Sequence, residues 1–147
     1  MNIRQAKPED EPSLREMYLA FLTEVQPFGH DIPPSSESVD KTWARYLKPA
    51  IELVEPVLIA DHHGEAQGFV AYVRISPVSA INHAVYVRPG WRRQGIATDL
   101  INGAKARCRQ IGVEKIFDMV SLTNEAALKM MARMGEEPIA YAYSLTP

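Results

Sequence analysis

The feature that most constrains this chain is a single change of hydrophobic period between residues 80 and 111. From Ala80 to Arg88 the residues read as a strand, and Pro89-Gly90 then interrupts it. From Gly95 to Ile111 the residues Ile96, Leu100, Ile101, Ala104, Cys108 and Ile111 lie along one helical face. A strand that feeds a helix through a short turn must bury both apolar faces against a common layer, which predicts mixed α and β structure around one core. Gly112 is placed to close that helix in the left-handed conformation. Gly103, inside it, costs about 1 kcal/mol relative to alanine, so close packing is the reason to expect a glycine there.

The remainder of the chain extends the alternation. Residues 2–6 read as a short strand, and a Pro- and acid-rich lead-in introduces a helix over 12–25 with Leu14, Tyr18, Phe21, Leu22 and Val25 at helical spacing. The segment 26–40 holds Pro27, Gly29, Pro33 and Pro34 and reads as a surface loop. A helix over 38–53 follows, then strands at 56–60 and 66–75 around the turn 61–65, which make a hairpin. Beyond the central unit the pattern predicts a strand at 113–120, a helix at 123–134 ended by Gly135, and a last strand at 139–145 that offers an edge for a homodimer. With 147 residues and no internal repeat, the expectation is one domain over 1–147 around one central sheet.

Composition narrows the partners. A net charge of −2 argues against a surface devoted to nucleic acid or anionic lipid, so any anion site must be local. No apolar run approaches the roughly 20 residues that span a bilayer, the first ten residues do not read as a signal peptide, and Cys108 is the only cysteine. The expectation is a soluble cytoplasmic protein without a metal site. His62 and His63, adjacent in a turn, lack partners at ligand spacing, and Cys108 reads as a small core residue.

The chemistry concentrates in Arg88-Pro89-Gly90-Trp91-Arg92-Arg93-Gln94-Gly95-Ile96-Ala97-Thr98. The start of a helix leaves N–H groups without intrahelical partners and carries partial positive charge, so a bound phosphate satisfies both. Gly95 and Ala97 lack bulk where backbone must approach a ligand, and Arg92 and Arg93 add charge-assisted donors. The alternative is an ordinary strand-to-helix turn with solvated arginines. Neither Gly-x-x-x-x-Gly-Lys-Ser/Thr nor Gly-x-Gly-x-x-Gly is present.

This segment resembles the signature of the GNAT N-acetyltransferase superfamily, Arg/Gln-x-x-Gly-x-Gly/Ala, through Arg92, Gly95 and Ala97. The lead-in Val85-Tyr86-Val87-Arg88-Pro89 and the later Asn124, Ala127 and Gly135 extend the resemblance over about 80–136. It implies a single mixed, mostly antiparallel sheet flanked by helices, with the strands 80–88 and 113–120 splayed apart. It also implies acetyl-CoA as cosubstrate. Its pyrophosphate would lie over the N–H groups of Arg93, Gln94, Gly95, Ile96, Ala97 and Thr98 beside Arg92. Its pantetheine arm would pair with the backbone of Val85, Tyr86 and Val87, as a strand added to a sheet edge. Asn124 is carried over as a cofactor contact, with a helix cap as its other reading.

The activity implied is transfer of acetyl to a primary amine. Such an acceptor is protonated at pH 7, with a pKa near 10.4, and must lose a proton. His83 is the candidate base, and arylalkylamine-type members of the superfamily carry a histidine at the same offset. Alternation places His83 on one face with Ile81, Val85 and Val87, and Tyr86 on the other, unless a bulge intervenes. At Met131 many relatives carry the tyrosine that protonates the departing thiolate; methionine has no such proton and packs against the cofactor arm or the core. The general acid is therefore unassigned, with Tyr86, Ser121, Tyr141 and Tyr143 as candidates. The acceptor segment, roughly 22–45, sets Glu24, His30, Asp31 and Glu37 around Phe28 and Trp43, which suits a cationic amine with apolar surface or is simply a solvated loop. Two other readings stay open: an acyl-CoA-binding or sensor protein with weak or no turnover, and nucleic-acid phosphate at the Arg92 turn.

Overall fold

The computed structural model describes residues 1–140 and Leu145. The strands are β1 (Asn2–Gln5), β2 (Val57–His62), β3 (Glu65–Ser76), β4 (Ser79–Val87) and β5 (Lys115–Asp118). The helices are α1 (Glu11–Val25), α2 (Ser36–Thr42), α3 (Lys48–Glu52), α4 (Ile96–Gln110) and α5 (Glu125–Arg133). The strands form one sheet in the order β1-β2-β3-β4-β5, antiparallel through β4 and parallel between β4 and β5. This is the mixed, mostly antiparallel sheet flanked by helices that the resemblance implied.

Alternation along the strands divides the core in two. On one face α1 contributes Leu14, Met17, Tyr18 and Leu22, packed with Trp43, Leu47, Phe69, Ala84 and Tyr86. On the other, α4 contributes Leu100, Ile101, Ala104 and Cys108, packed with Leu58, Val70, Tyr72 and Val87. Each fully buried large side chain contributes about 1.5–3 kcal/mol. Gly103 lies where a Cβ would stand 3.0 Å from Leu58 Cδ1, so the close packing expected there is what α4 uses to approach the sheet. Gly112 takes φ 84° after α4, as its position suggested.

The boundaries move in informative ways. The helix expected over 38–53 begins at Ser36, with the Ser35 hydroxyl oxygen accepting from the Ser38 N–H. It passes through one π-helical segment, Trp43–Leu47, before α3. Pro49 has no N–H and its ring collides with the carbonyl four residues back, so the wider turn ahead of it accommodates the proline without breaking the rod. The loop expected at 26–40 is shorter, because Gln26–Phe28 form a 3-10 turn and α2 starts early. The expected strand 113–120 contracts to Lys115–Asp118. Of the strand expected at 139–145, Ile139 and Ala140 are irregular and the rest, apart from Leu145, falls outside the described residues.

Two irregularities shape one end of the sheet. In the β3–β4 ladder Ala71 faces Ala84 while Tyr72 faces Asn82, so His83 is an extra, bulged residue. The face assigned by simple alternation is therefore wrong for His83: it lies on the α1 face with Ala84 and Tyr86, while Val85 and Val87 lie on the α4 side. Second, β5 pairs only with Ser79–Asn82, whereas β4 runs on to Val87. Beyond the Asn82–Asp118 pair the two strands part, leaving a fork. No helix among the described residues is long and apolar enough to cross a membrane.

Candidate active site

The fork exposes backbone. The Arg88 N–H donates to Gln67 O on β3 at 2.8 Å, and main-chain groups alternate in direction along a strand, so those of Val85 and Val87 point away from β3 into the gap. The Val87 carbonyl accepts from Arg92 Nε at 2.7 Å, as that direction requires. The main chain of Val85 and the N–H of Val87 face the gap with no strand to pair with among the described residues.

At the open end of the fork stands the start of α4. Gly95, at φ 79°, precedes its first turn and supplies no side-chain cap. Arg93 takes φ 60°, so the turn from Arg92 to Gly95 contains two left-handed residues, a conformation that gathers successive N–H groups into an anion-binding concavity. The first helical bond in this region runs from the Asp99 N–H to Gly95 O. None of the N–H groups from Arg93 to Thr98 finds a protein acceptor among the described residues. The Arg92 guanidinium is held by the fold: it donates to Val87 O and Glu24 Oε1, and its carbon lies 5.4 Å from the Tyr86 ring centre. Trp91 packs beside the α4 core and against His62, with ring centres 4.6 Å apart.

His83 sits at the closed end, among rings. Its imidazole centre is 5.6 Å from Tyr18, nearly parallel at 22°, and 5.3 Å from Tyr46. Burial, with a smaller contribution from His30, pushes its pKa down to about 4, and its buried Nε2 has no hydrogen-bond partner among the described residues. At neutral pH it is an uncharged imidazole.

The sequence reading missed a polar group beneath the fork. Asp118 accepts from Asn82 Nδ2 at 2.6 Å and from the Tyr72 hydroxyl at 3.2 Å, while Lys105 Nζ lies 3.5 Å from Glu136 Oε1. Burial and the neighbouring Asp118 push the Glu136 carboxyl up to about 7. The only signal for these contacts in the sequence was a carboxylate directly after Gly135, where a helix ends.

The other expected residues fall as follows. Asn124 caps α5, its Oδ1 accepting from the Ala127 N–H at 3.2 Å; its amide NH₂ donates to no protein group among the described residues. Met131 packs partly buried against the α4 core. Tyr86 is buried under Arg92, on the same face as His83, and Ser121 bonds to Thr123 at 3.0 Å. Tyr141 and Tyr143 lie outside the described residues. Trp43 is core, 5% exposed, packed in the α1-side cluster. Glu24 pairs with Arg92 and Glu37 with Lys41, so two of the four polar residues expected to hold an amine are spent within the chain. His30 meets Phe21 edge-on, and Phe28 and Asp31 are exposed. Cys108 is buried, which pushes its thiol pKa up, and no cluster of metal-ligating side chains occurs among the described residues.

The sequence profile of the acetyltransferase (GNAT) family matches residues 13–135. Among solved structures, one similar chain is the aminoglycoside N-acetyltransferase AAC(6')-Iy bound to a CoA–acetylneamine bisubstrate analogue. It is 18% identical, with a TM-score of 0.74 over 99% of this chain and 97% of that one. Another is yncA from Salmonella typhimurium with its cofactor acetyl-CoA, at 19% identity and a TM-score of 0.76 over 92% of this chain and 78% of that one. A third is the PaiA N-acetyltransferase of Thermoplasma acidophilum in complex with coenzyme A, at 19% identity and a TM-score of 0.65 over 90% and 87%. Among curated protein sequences none matches.

Proposed function

The chain belongs to the acetyltransferase (GNAT) family, and from that membership we propose that it moves an acetyl group from acetyl-CoA directly to a primary amine of a small molecule or peptide. The observation that carries this reading is the meeting of two sets of unpaired main-chain groups, the N–H groups of 93–98 and the open edge of Val85 and Val87, along one fork. The first set suits a diphosphate and the second an amide-bearing arm. From Val87 back to His83 is about 13 Å at 3.3 Å per residue, which carries such an arm from the α4 turn to the bulge. On the resemblance, Asn124, whose NH₂ donates to no protein group among the described residues, and Met131, packed against the α4 core, would contact the same cofactor.

Bound acetyl-CoA supplies the activated thioester. The chain's own residues then govern protons. The amine nitrogen bonds to the acetyl carbon as the carbon–sulfur bond breaks, and the proton lost by nitrogen passes to His83 Nε2. With a pKa near 4 this imidazole cannot strip a free ammonium, so the acceptor enters as its neutral fraction and gives up its proton during attack. The thiolate, with an unperturbed pKa near 8.5, is a tolerable leaving group, and position 131, a methionine, supplies no proton to it. That methionine is also the observation behind a second reading, an acyl-CoA-binding protein with little turnover.

Two measurements decide. A thermal shift with acetyl-CoA at 100 times its dissociation constant is expected to reflect about 2.7 kcal/mol of stabilisation. Release of CoA, followed with a thiol reagent over an amine panel, is expected for at least one acceptor. A shift without release favours the second reading, and no shift at millimolar acetyl-CoA overturns both.

A further inference from the structure

The fork lies on the β5 side of β4. On the side of β3 there is a second, open groove of about 510 Å³, lined by Glu9, Asp10, Ser13, Glu65, Gln67 and Arg88, which brings the lead-in to α1 against the start of β3. That volume is in the range of small-molecule sites. In the β2–β3 ladder Ala60 faces Gly68 while Asp61 faces Ala66, so Gln67 is an extra residue of β3, and a bulge of this kind re-aims a side chain. Gln67 is 7% exposed, and its carboxamide makes no hydrogen bond to the chain among the described residues. Partners for its oxygen and its NH₂ therefore enter through the groove.

The charges of the lining are answered unevenly. Both terminal nitrogens of Arg4 donate to Asp10 at 2.8 Å, and its Nε donates to Asp61 at 2.8 Å. Arg88 donates to Glu16 Oε1 at 2.6 Å and to Ala66 O at 3.0 Å. Glu9 and Glu65 are exposed and form no ion pair among the described residues, and Lys7, whose charge reaches Asp10, pairs with neither. The imidazoles nearby are outside the lining: His63 meets His62, and His62 meets Trp91. What remains is a pair of carboxylates and a buried amide open to the same space. No three metal-ligating side chains among the described residues converge on a metal ion, so the negative charge is spread along the groove. A spread set of acceptors fits a planar, branched donor better than a point charge. A guanidinium holds its N–H groups in a fixed fork and is more weakly hydrated than an ammonium, which matters at a floor as buried as Gln67.

We propose that this groove binds a small organic cation by its guanidinium group, which spans Glu9 and Glu65 and donates to the Gln67 carboxamide oxygen. The site is separate from the fork and does not rest on the acetyl-transfer reading. Each charge-assisted bond lost from such a contact corresponds to about tenfold or more in Kd.

The test titrates n-butylguanidinium and n-butylammonium, as chlorides, into the full chain by calorimetry and by proton–nitrogen NMR. The guanidinium compound is expected to bind about tenfold more tightly and to move the Gln67 side-chain NH₂ signals. Glu9→Gln and Glu65→Gln are each expected to weaken it by about tenfold, while Glu37→Gln, the same charge change away from the groove, leaves it unaltered. All three substitutions are at exposed positions and are expected to melt with the native chain. Equal binding of the two cations overturns the guanidinium site, as does binding that both groove variants retain in full. No detectable binding of either cation at tens of millimolar, or signals that move only away from Gln67, overturns it too.

Discussion

At the scale of single residues, His83 carries the sharpest expectation. Its folded pKa of about 4 lies below the ordinary value of 6.5, so the unfolded chain binds more protons between those limits. The stability His83 contributes is present above pH 6.5 and is lost as pH falls toward 4, and His83→Phe is expected to flatten that slope in urea titrations. The same depression removes any acid limb near 6.5 from kcat/KM. The rate instead rises with pH through neutrality as the amine deprotonates, and His83→Gln lowers it at every pH from 6 to 8. A limb centred at 6.5 in the native protein would contradict the buried imidazole. Arg92 acts through two anchors, Val87 O and Glu24. Arg92→Lys keeps the charge but cannot hold both, and is expected to reduce the acetyl-CoA thermal shift. Arg92→Glu sets a second carboxylate beside Glu24 and the diphosphate, and is expected to abolish the shift.

At the scale of elements, α5 allows capping to be separated from ligand contact. Asn124→Ala removes the Oδ1 acceptor and is expected to cost about 1 kcal/mol in denaturant unfolding. Asn124→Asp keeps an acceptor oxygen and loses the NH₂, so stability should hold while the acetyl-CoA shift shrinks; an undiminished shift would leave Asn124 a cap alone. The same elements show what a sequence discloses. The α1 and α4 stripes and the Arg92–Gly95 turn were legible because helical period and turn chemistry are local. The bulge at His83 was not, since an extra residue in a ladder is defined by its cross-strand partners, Ala71 and Tyr72. That one offset turned His83 toward Tyr18 and put Tyr86 on its own side. The π-helical segment before Pro49 and the meeting of Asp118 with Asn82 and Tyr72 likewise depend on contacts distant along the chain.

At the scale of the whole molecule, the polar group under the sheet couples stability to pH in the opposite sense from His83. Glu136, raised to about 7 from 4.5, binds its proton more tightly when folded, so its effect is a loss of stability as pH rises from 4.5 to 7. Glu136→Gln is expected to remove that loss, making the variant more stable relative to the native chain at pH 8 than at pH 5; equal differences at both would show the carboxyl ionised throughout. The sheet itself has a further consequence. Among the described residues its fourth strand has a neighbour on both sides only as far as Asn82, so the sheet carries an unsewn seam, and whatever lies in that seam becomes a piece of the scaffold. Deuterium uptake should therefore slow at the Val85 and Val87 amides when acetyl-CoA is added, while amides on the strands across the hairpin keep their native pace.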